Sequence, residues 1–304
     1  MKKRLGVIDL KQKKWQWIVL VICAFIWGSS FILMKKGLQT FNYYQVGAFR
    51  MFFSFILTLP LIYKHFRKIN RKNLRYLINV GIIGSGIPAI LFPLGQTEIS
   101  SSLAGMLNGL TPFFTLIVGL AFFKAKSSFL KFAGIILGII GTAGLLFKGT
   151  NQILEGNIWY SFFIIAATLC YGININIVKF RLSGLSGPAL TSLGFLFVGP
   201  IAGIYLLFSD FSETTASPIF YQSLSYILLL AFLSSVIALI LINILIKYVS
   251  TVFAASVTYI IPIFAIMWGV MDGEQFTVLQ LIWIIVIMTG VYLVTKNKMT
   301  IKPK

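Results

Sequence analysis

The chain is poor in charge and poorer still in acid. Asp, Glu, Lys and Arg make up 11% of its 304 residues, and only 7 of these are Asp or Glu against 26 Lys and Arg. Soluble domains carry roughly 25% charged residues, so a soluble globular protein is excluded at the outset. There is a single histidine, His65, and the two cysteines, Cys23 and Cys170, each sit inside an apolar run. That inventory supplies no ligand set for a metal centre, no Ser-His-Asp arrangement and no disulfide framework. A Gly-rich loop ending in Gly-Lys-Ser or Gly-Lys-Thr is also absent. No nucleotide-phosphate cradle exists, and no cofactor is expected.

What is present is apolar. Hydrophobic residues reach 58% and the mean hydropathy is +0.92. A bilayer crossing takes about 20 apolar residues in a helix. Ten stretches meet that description: 15–34, 43–63, 77–97, 101–123, 131–147, 157–178, 188–208, 225–246, 251–271 and 277–295. The expected fold class is an all-α polytopic membrane protein with ten transmembrane helices. The first stretch follows a basic N-terminus as a signal peptide would, but 20 uncharged residues without a small-residue cleavage site predict a span that is kept.

The basic residues fix a direction. With the N-terminus inside, 22 of the 26 Lys and Arg fall on inside segments; only Lys35, Lys36 and Lys148 fall outside, and Arg50 lies within a span. The positive-inside rule then places both termini on the cytoplasmic side. The high positive charge is topological, and its dispersal over short segments argues against nucleic acid as a partner.

The two halves resemble each other. "GMLNGLTPFFTLIVGL" (105–120) aligns with "ASVTYIIPIFAIMWGV" (255–270), placing Pro112 on Pro262 and Gly119 on Gly269. "WGSSFILMK" (27–35) aligns with "YGININIVK" (171–179), placing Gly28 on Gly172 and Lys35 on Lys179. Five spans per half is an odd number, so the second copy enters the membrane upside down. The expected layout is two five-helix inverted repeats, 15–148 and 155–295, between basic cytoplasmic tails at 1–14 and 296–304, with a binding site where the halves meet.

These residues resemble the drug/metabolite transporter superfamily, EamA type. The likeness is carried by Trp27-Gly28-Ser29-Ser30-Phe31, by Arg50 early in the second stretch, by Ala104 and Pro112 in the fourth, and by the repeat Ala254, Pro262, Gly269, Gly273 and Glu274. It runs over nearly the whole chain. The resemblance implies a ten-helix carrier in the bacterial inner (plasma) membrane, moving small organic metabolites such as amino acids or nucleobase-like compounds, usually outward, by alternating access around a central polar cavity, and no enzymatic activity. Lys124 departs from the pattern, because relatives often place an acid there to match Glu274.

Polar residues inside apolar stretches are the candidate site. Asn108 and Thr111, beside Pro112, and Thr258 and Tyr259, beside Pro262, form one polar cluster per half. A proline removes an N–H and crowds the carbonyl four residues back, so the carbonyls of Asn108 and Thr258 are expected to be freed. Trp27 and Tyr171 occupy matching positions, followed by Ser30 in one copy and Asn174 and Asn176 in the other. Asn174 and Asn176 point to different faces, so at most one reaches a cavity. Gln96 is a further candidate near the end of the third stretch. The alternative for each is a helix–helix contact, which polar side chains commonly make in membranes.

Arg50 is the one ionisable residue well inside a span, and an intramembrane charge is a functional candidate by default. Glu98 is its expected partner in a gating or structural pair. The other readings are direct capture of a substrate carboxylate, or snorkelling to the interface. His65 is expected in solvent, in the basic loop after the second stretch. No span carries a central carboxylate, which leaves facilitated diffusion or coupling through an edge carboxylate. The expected partners are a small-molecule substrate and the bilayer, with the chain a monomer or weak dimer. A lipid or lipid-carrier translocase is the nearest alternative, and a polytopic membrane enzyme a more distant one.

Overall fold

The computed structural model describes residues 10, 12–124, 128–148, 158–275 and 277–296, and every regular element among them is helical. The predicted joint 149–155, residues 1–9 of the first tail and 297–304 of the second lie outside the described residues. Each predicted apolar stretch falls on a helix. These are α1 (Lys13–Leu38), α2 (Tyr43–His65), α3 (Leu74–Gln96), α4 (Ser101–Phe123), α5 (Phe129–Lys148), α6 (Ser161–Arg181), α7 (Gly187–Leu207), α8 (Phe220–Leu245), α9 (Thr251–Met271) and α10 (Val278–Lys296). Eight of them, all but α5 and α10, are long and apolar enough to cross a membrane. In α5 and α10 the apolar stretches are Phe132–Gly141 and Val278–Gly290.

Local sequence sets the helix starts. Asn42 begins α2 with a capping box: its side chain accepts from the Gln45 N–H at 2.9 Å, and its own N–H donates to Gln45 Oε1 at 3.1 Å. Ser186 caps α7, Ser100 caps α4 and Ser250 caps α9, each accepting from the N–H three residues on. Such caps satisfy N–H groups that a helix leaves orphaned, which matters more where water is scarce.

Two kinds of interruption recur at matching places. The middle of α3 is a π-turn at Ile82–Gly86, and the middle of α8 is a π-turn at Ala231–Ala238. In α4 a 3₁₀ turn, Asn108–Leu110, precedes Pro112, and in α9 a 3₁₀ turn, Ser256–Tyr259, precedes Pro262. Turns of both kinds inside longer helices are frequent at functional sites and hinges.

The helix pairings also recur. α1 packs on α8 and α9, while α6 packs on α3 and α4; α2 pairs with α7, and α5 with α10. The pairing reads the same when α1–α5 and α6–α10 are exchanged. At the closest approaches, Gly28 of α1 lies against Phe264 of α9, and Gly172 of α6 lies against Phe114 of α4. The core is continuous through the bundle, whereas large apolar side chains such as Phe122, Ile136, Ile201, Phe232 and Ile285 face outward and exposed. An apolar exterior of this extent suits lipid as its solvent.

His65 departs from its expected place. It ends α2 with its ring 7% exposed, and Nδ1 meets the Leu61 carbonyl at 2.8 Å. The last turn of the helix folds the ring back onto its own backbone, away from the basic loop.

Candidate functional site

The two 3₁₀ turns of α4 and α9 touch, with Gly109 facing the Thr258 carbonyl. Beside them, between α1, α2, α3, α6, α7 and α8, lies a cavity of about 90 Å³. On this measure one water needs about 10–15 Å³, so the space holds several waters. Of the residues singled out by sequence, Trp27, Ser30, Asn108, Thr111, Tyr171, Asn174, Thr258 and Arg50 all line it. The structure thus gathers side chains from both halves around one space.

Two expected site residues lie elsewhere. Gln96 is buried outside the cavity wall, where Nε2 donates to the Phe31 carbonyl at 3.0 Å and to Ser101 Oγ at 3.1 Å, tying α3 to α1 and α4. It sits on the final turn of α3, too near the helix end to reach the centre. Tyr259 points the other way along its 3₁₀ turn, toward α10, into a second small space lined by Met106, Gly109, Pro262 and Ile287. Its buried hydroxyl has no partner among the described residues. Asn176 turns away from the cavity and donates to the Thr115 and Gly172 carbonyls, both at 2.9 Å, which leaves Asn174 as the amide on the cavity face.

The expected freed carbonyl at Asn108 is engaged. The 3₁₀ turn closes an N–H from Thr111 onto it, and the Thr111 hydroxyl donates to it at 2.9 Å. The tighter turn recovers what Pro112 removes.

The expected Arg50–Glu98 pair is not formed. Arg50 is 8% exposed, and its Nε donates to Ser235 Oγ at 2.7 Å while an Nη donates to Ser234 Oγ at 3.3 Å. Both serines belong to the π-turn of α8, while Glu98 is exposed just beyond the end of α3. Eight residues into its helix, Arg50 is held at the depth of the cavity and cannot turn to a carboxylate at the rim. The serine pair, together with Asn243 and Phe92, completes the wall and was not singled out by sequence. Adjacent serines inside an apolar helix were the available signal. Trp27 Nε1 donates to the Ser234 carbonyl at 3.2 Å, and Phe92 stacks on Tyr171 with ring centroids 5.7 Å apart. The wall therefore combines one cation, amides and hydroxyls with flat aromatic faces.

The two ends of the bundle close by different chemistry. Where α9 finishes, Glu274 receives the backbone N–H groups of Ser101 and Ser102 at 2.9 and 3.0 Å, the Ser102 hydroxyl at 2.6 Å and Lys35 Nζ at 3.0 Å. Asp272 adds contacts to Lys35 at 2.8 Å and Lys36 at 2.5 Å. A carboxylate from the end of α9 thus caps the start of α4 and holds the end of α1. At the opposite end, where α9 begins, Lys179 donates to the carbonyls of Ile246 and Val249 at 2.8 and 2.7 Å. That ammonium caps the C-terminus of α8, where the backbone dipole is negative.

Burial pushes the Glu274 carboxyl up, but the Ser102 hydrogen bonds and the Lys35 ammonium outweigh it and hold the group below its ordinary value. A depressed carboxylate contributes stability that is present above its unfolded pKa and lost only as pH falls through the folded one. The stability difference between wild type and Glu274→Gln should therefore stay constant from about pH 8 to 5 and shrink only below about pH 4. Thermal unfolding in detergent across that range measures it. A difference already lost at about pH 6 would contradict the assignment.

The sequence matches the EamA-like transporter family over residues 14–147 and again over 158–296. The chain belongs to this family. Several relatives are named as transporters. The uncharacterized inner membrane transporter YedA of Escherichia coli K12 is 25% identical over 287 residues, covering 90% of this chain and 88% of YedA. An S-adenosylmethionine/S-adenosylhomocysteine transporter of Chlamydia trachomatis is 23% identical over 271 residues, covering 85% and 82% of the two chains. An uncharacterized transporter of Archaeoglobus fulgidus is 25% identical over 177 residues, and the match spans 62% of its length. A solved crystal structure superposes with a TM-score of 0.65 at 12% identity, covering 94% of this chain and 98% of the other. This EamA chain is thus a multi-pass membrane transporter.

Proposed function

We propose that this transporter moves a small amphipathic organic metabolite out of a bacterial cell across the plasma membrane, by alternating access around the central cavity. The carrying observation is that the repeat-matched 3₁₀ turns of α4 and α9 meet at one wall of a polar, aromatic-lined space. In this reading all ten helices span, as two oppositely directed halves, 15–148 and 155–295. The exchangeable helix pairings and the matching Gly28 and Gly172 contacts support it. The charge asymmetry of the loops puts both termini in the cytoplasm and the Glu274 cluster on the external side. Rocking of one half on the other then opens one end while the other stays closed.

Trp27, Ser30, Asn108, Thr111, Tyr171, Asn174 and Thr258 form the substrate wall in this reading. S-adenosylmethionine, one of the two cargoes named for the Chlamydia relative, carries net positive charge through its sulfonium. A wall with Arg50 in it disfavours such a cargo.

The test compares intracellular and extracellular metabolite pools in cells with and without the gene, followed by counterflow of the responding compound in proteoliposomes. The expected result is one or a few compounds that accumulate inside when the gene is deleted and exchange through the purified protein. Unchanged pools under both over-expression and deletion, together with no counterflow, would remove the transport assignment.

A further inference from the structure

We propose that the cavity selects a monoanion, a single carboxylate on a flat apolar body, with Arg50 as its anchor. This rests on the transport reading above and deepens it by naming the cargo's charge.

Arg50 brings a full positive charge into the protein interior, yet its partners in the cavity wall are hydroxyls alone, those of Ser234, Ser235 and Tyr171. All five described carboxylates lie outside the helical spans. Glu98 and Asp210 are exposed on loops and Glu213 on the one-turn helix Ser212–Thr215, while Asp272 and Glu274 are engaged with Lys35, Lys36 and the start of α4. None forms an ion pair with Arg50 among the described residues. A buried cation with only hydroxyl partners is under-compensated, because dipoles replace part of its hydration but none of its counter-charge.

The repeat sharpens the point. Arg50 stands eight residues after the cap of α2, Asn42, and the residue eight after the cap of α7, Ser186, is Gly194. Gly194 packs against Val80 and Gly81 of α3 in the place where Arg50 meets the π-turn of α8. At this matching position the second half supplies neither a balancing acid nor a second cation. One guanidinium, presented through a planar fork of donors, suits one carboxylate.

The rest of the wall fits the remainder of such a molecule. Phe31, Phe92 and Tyr171 form a run of aromatic faces, with Phe31 and Phe92 in edge contact at 5.7 Å and Phe92 stacked on Tyr171. The Asn174 Oδ1 atom is buried without a partner among the described residues and is free to accept from a water or an N–H donor. A carboxylate entering this space removes the uncompensated charge, a neutral analogue leaves it, and a cation adds repulsion.

The experiment titrates the purified full-length protein in detergent with phenylacetate, phenylacetamide and phenethylamine, three probes alike in body and different in head charge. Binding is read from the shift in unfolding temperature. Phenylacetate should bind roughly tenfold to a hundredfold more tightly than the amide, and the amine most weakly, the range expected for a charge-assisted hydrogen bond to a buried group. Arg50→Gln should bring phenylacetate down to the level of the amide, closing the gap between the two probes. Arg50→Lys, which keeps the charge and loses the fork, should fall between. Phenylacetate binding no tighter than the amide or the amine in the wild type would overturn the proposal, as would an undiminished preference in Arg50→Gln.

Failure of the transport reading gives a different signature. A transported compound that proves neutral or cationic leaves transport standing and removes the monoanion. Absent transport with an intact carboxylate preference removes only the carrier role.

Discussion

Replacing Glu274 with glutamine should unlatch the end of the bundle where α9 meets α4. The carboxylate is 9% exposed and accepts four hydrogen bonds, two from backbone N–H groups at the start of α4, one from the Ser102 hydroxyl and one from Lys35. Glutamine keeps one acceptor oxygen, replaces the other with a donor amide facing N–H groups, and leaves Lys35 with Asp272 alone. Hydrogen bonds to charged groups contribute about 1.5–3 kcal/mol. Because Lys35 is 35% exposed, solvent screens its share, and about 2 kcal/mol is the reasonable net loss. That shifts the balance between closed and open forms of this end by about 30-fold. The measurement is the rate at which a membrane-impermeant maleimide modifies a single cysteine placed at Ser30 in the cavity wall, with Cys23 and Cys170 replaced by alanine. An unchanged rate in Glu274→Gln would mean that the cluster does not hold this end shut.

The largest loss of stability should come from Gly28→Leu. A Cβ at Gly28 would lie 2.5 Å from the Phe264 Cβ and 3.0 Å from the Ile261 carbonyl oxygen. Neither is the far end of a flexible side chain, so relief requires α1 and α9 to separate. At Gly172 the added atom would meet the backbone of Phe114 and Thr115 at 2.8–2.9 Å, so Gly172→Leu should behave alike. Overpacking typically costs about 1–3 kcal/mol and more where backbone must move, so both variants should lose at least about 3 kcal/mol. Thermal unfolding and yield of folded protein in detergent measure this. Gly184 has nothing within 4 Å of an added Cβ, and Gly184→Ala serves as the tolerant control. A Gly28→Leu protein as stable as that control would refute the close helix crossing.

The reach of the sequence can be judged residue by residue. Helices were legible because a bilayer demands long apolar stretches, and polar joints between them stand out against 58% hydrophobic residues. Asn108, Thr111 and Thr258 were legible because a polar residue beside a proline within such a stretch requires a reason. What composition cannot supply is the direction a side chain takes around the helix axis. Tyr259 follows Thr258 immediately yet faces α10 instead of the cavity, and Gln96 turns to Phe31 and Ser101. Arg50 was recognised as unusual, but two of its partners, Ser234 and Ser235, lie more than 180 residues away in sequence. Their arrival depends on α8 lying against both α1 and α2, a pairing that no local pattern encodes. The Glu98 assignment failed for the same reason, since distance from a helix end was the only coordinate available to it.

The solitary guanidinium beside a glycine counterpart has an electrical consequence. An empty carrier that swings Arg50 through part of the membrane field does work against or with the potential, up to about 2.3 kcal/mol for each 100 mV if the whole field were crossed. With the cell interior negative, that work favours the unloaded protein waiting with its binding space toward the cytoplasm. In the proposed export cycle a bound carboxylate cancels the moving charge, so the loaded outward stroke feels the voltage little.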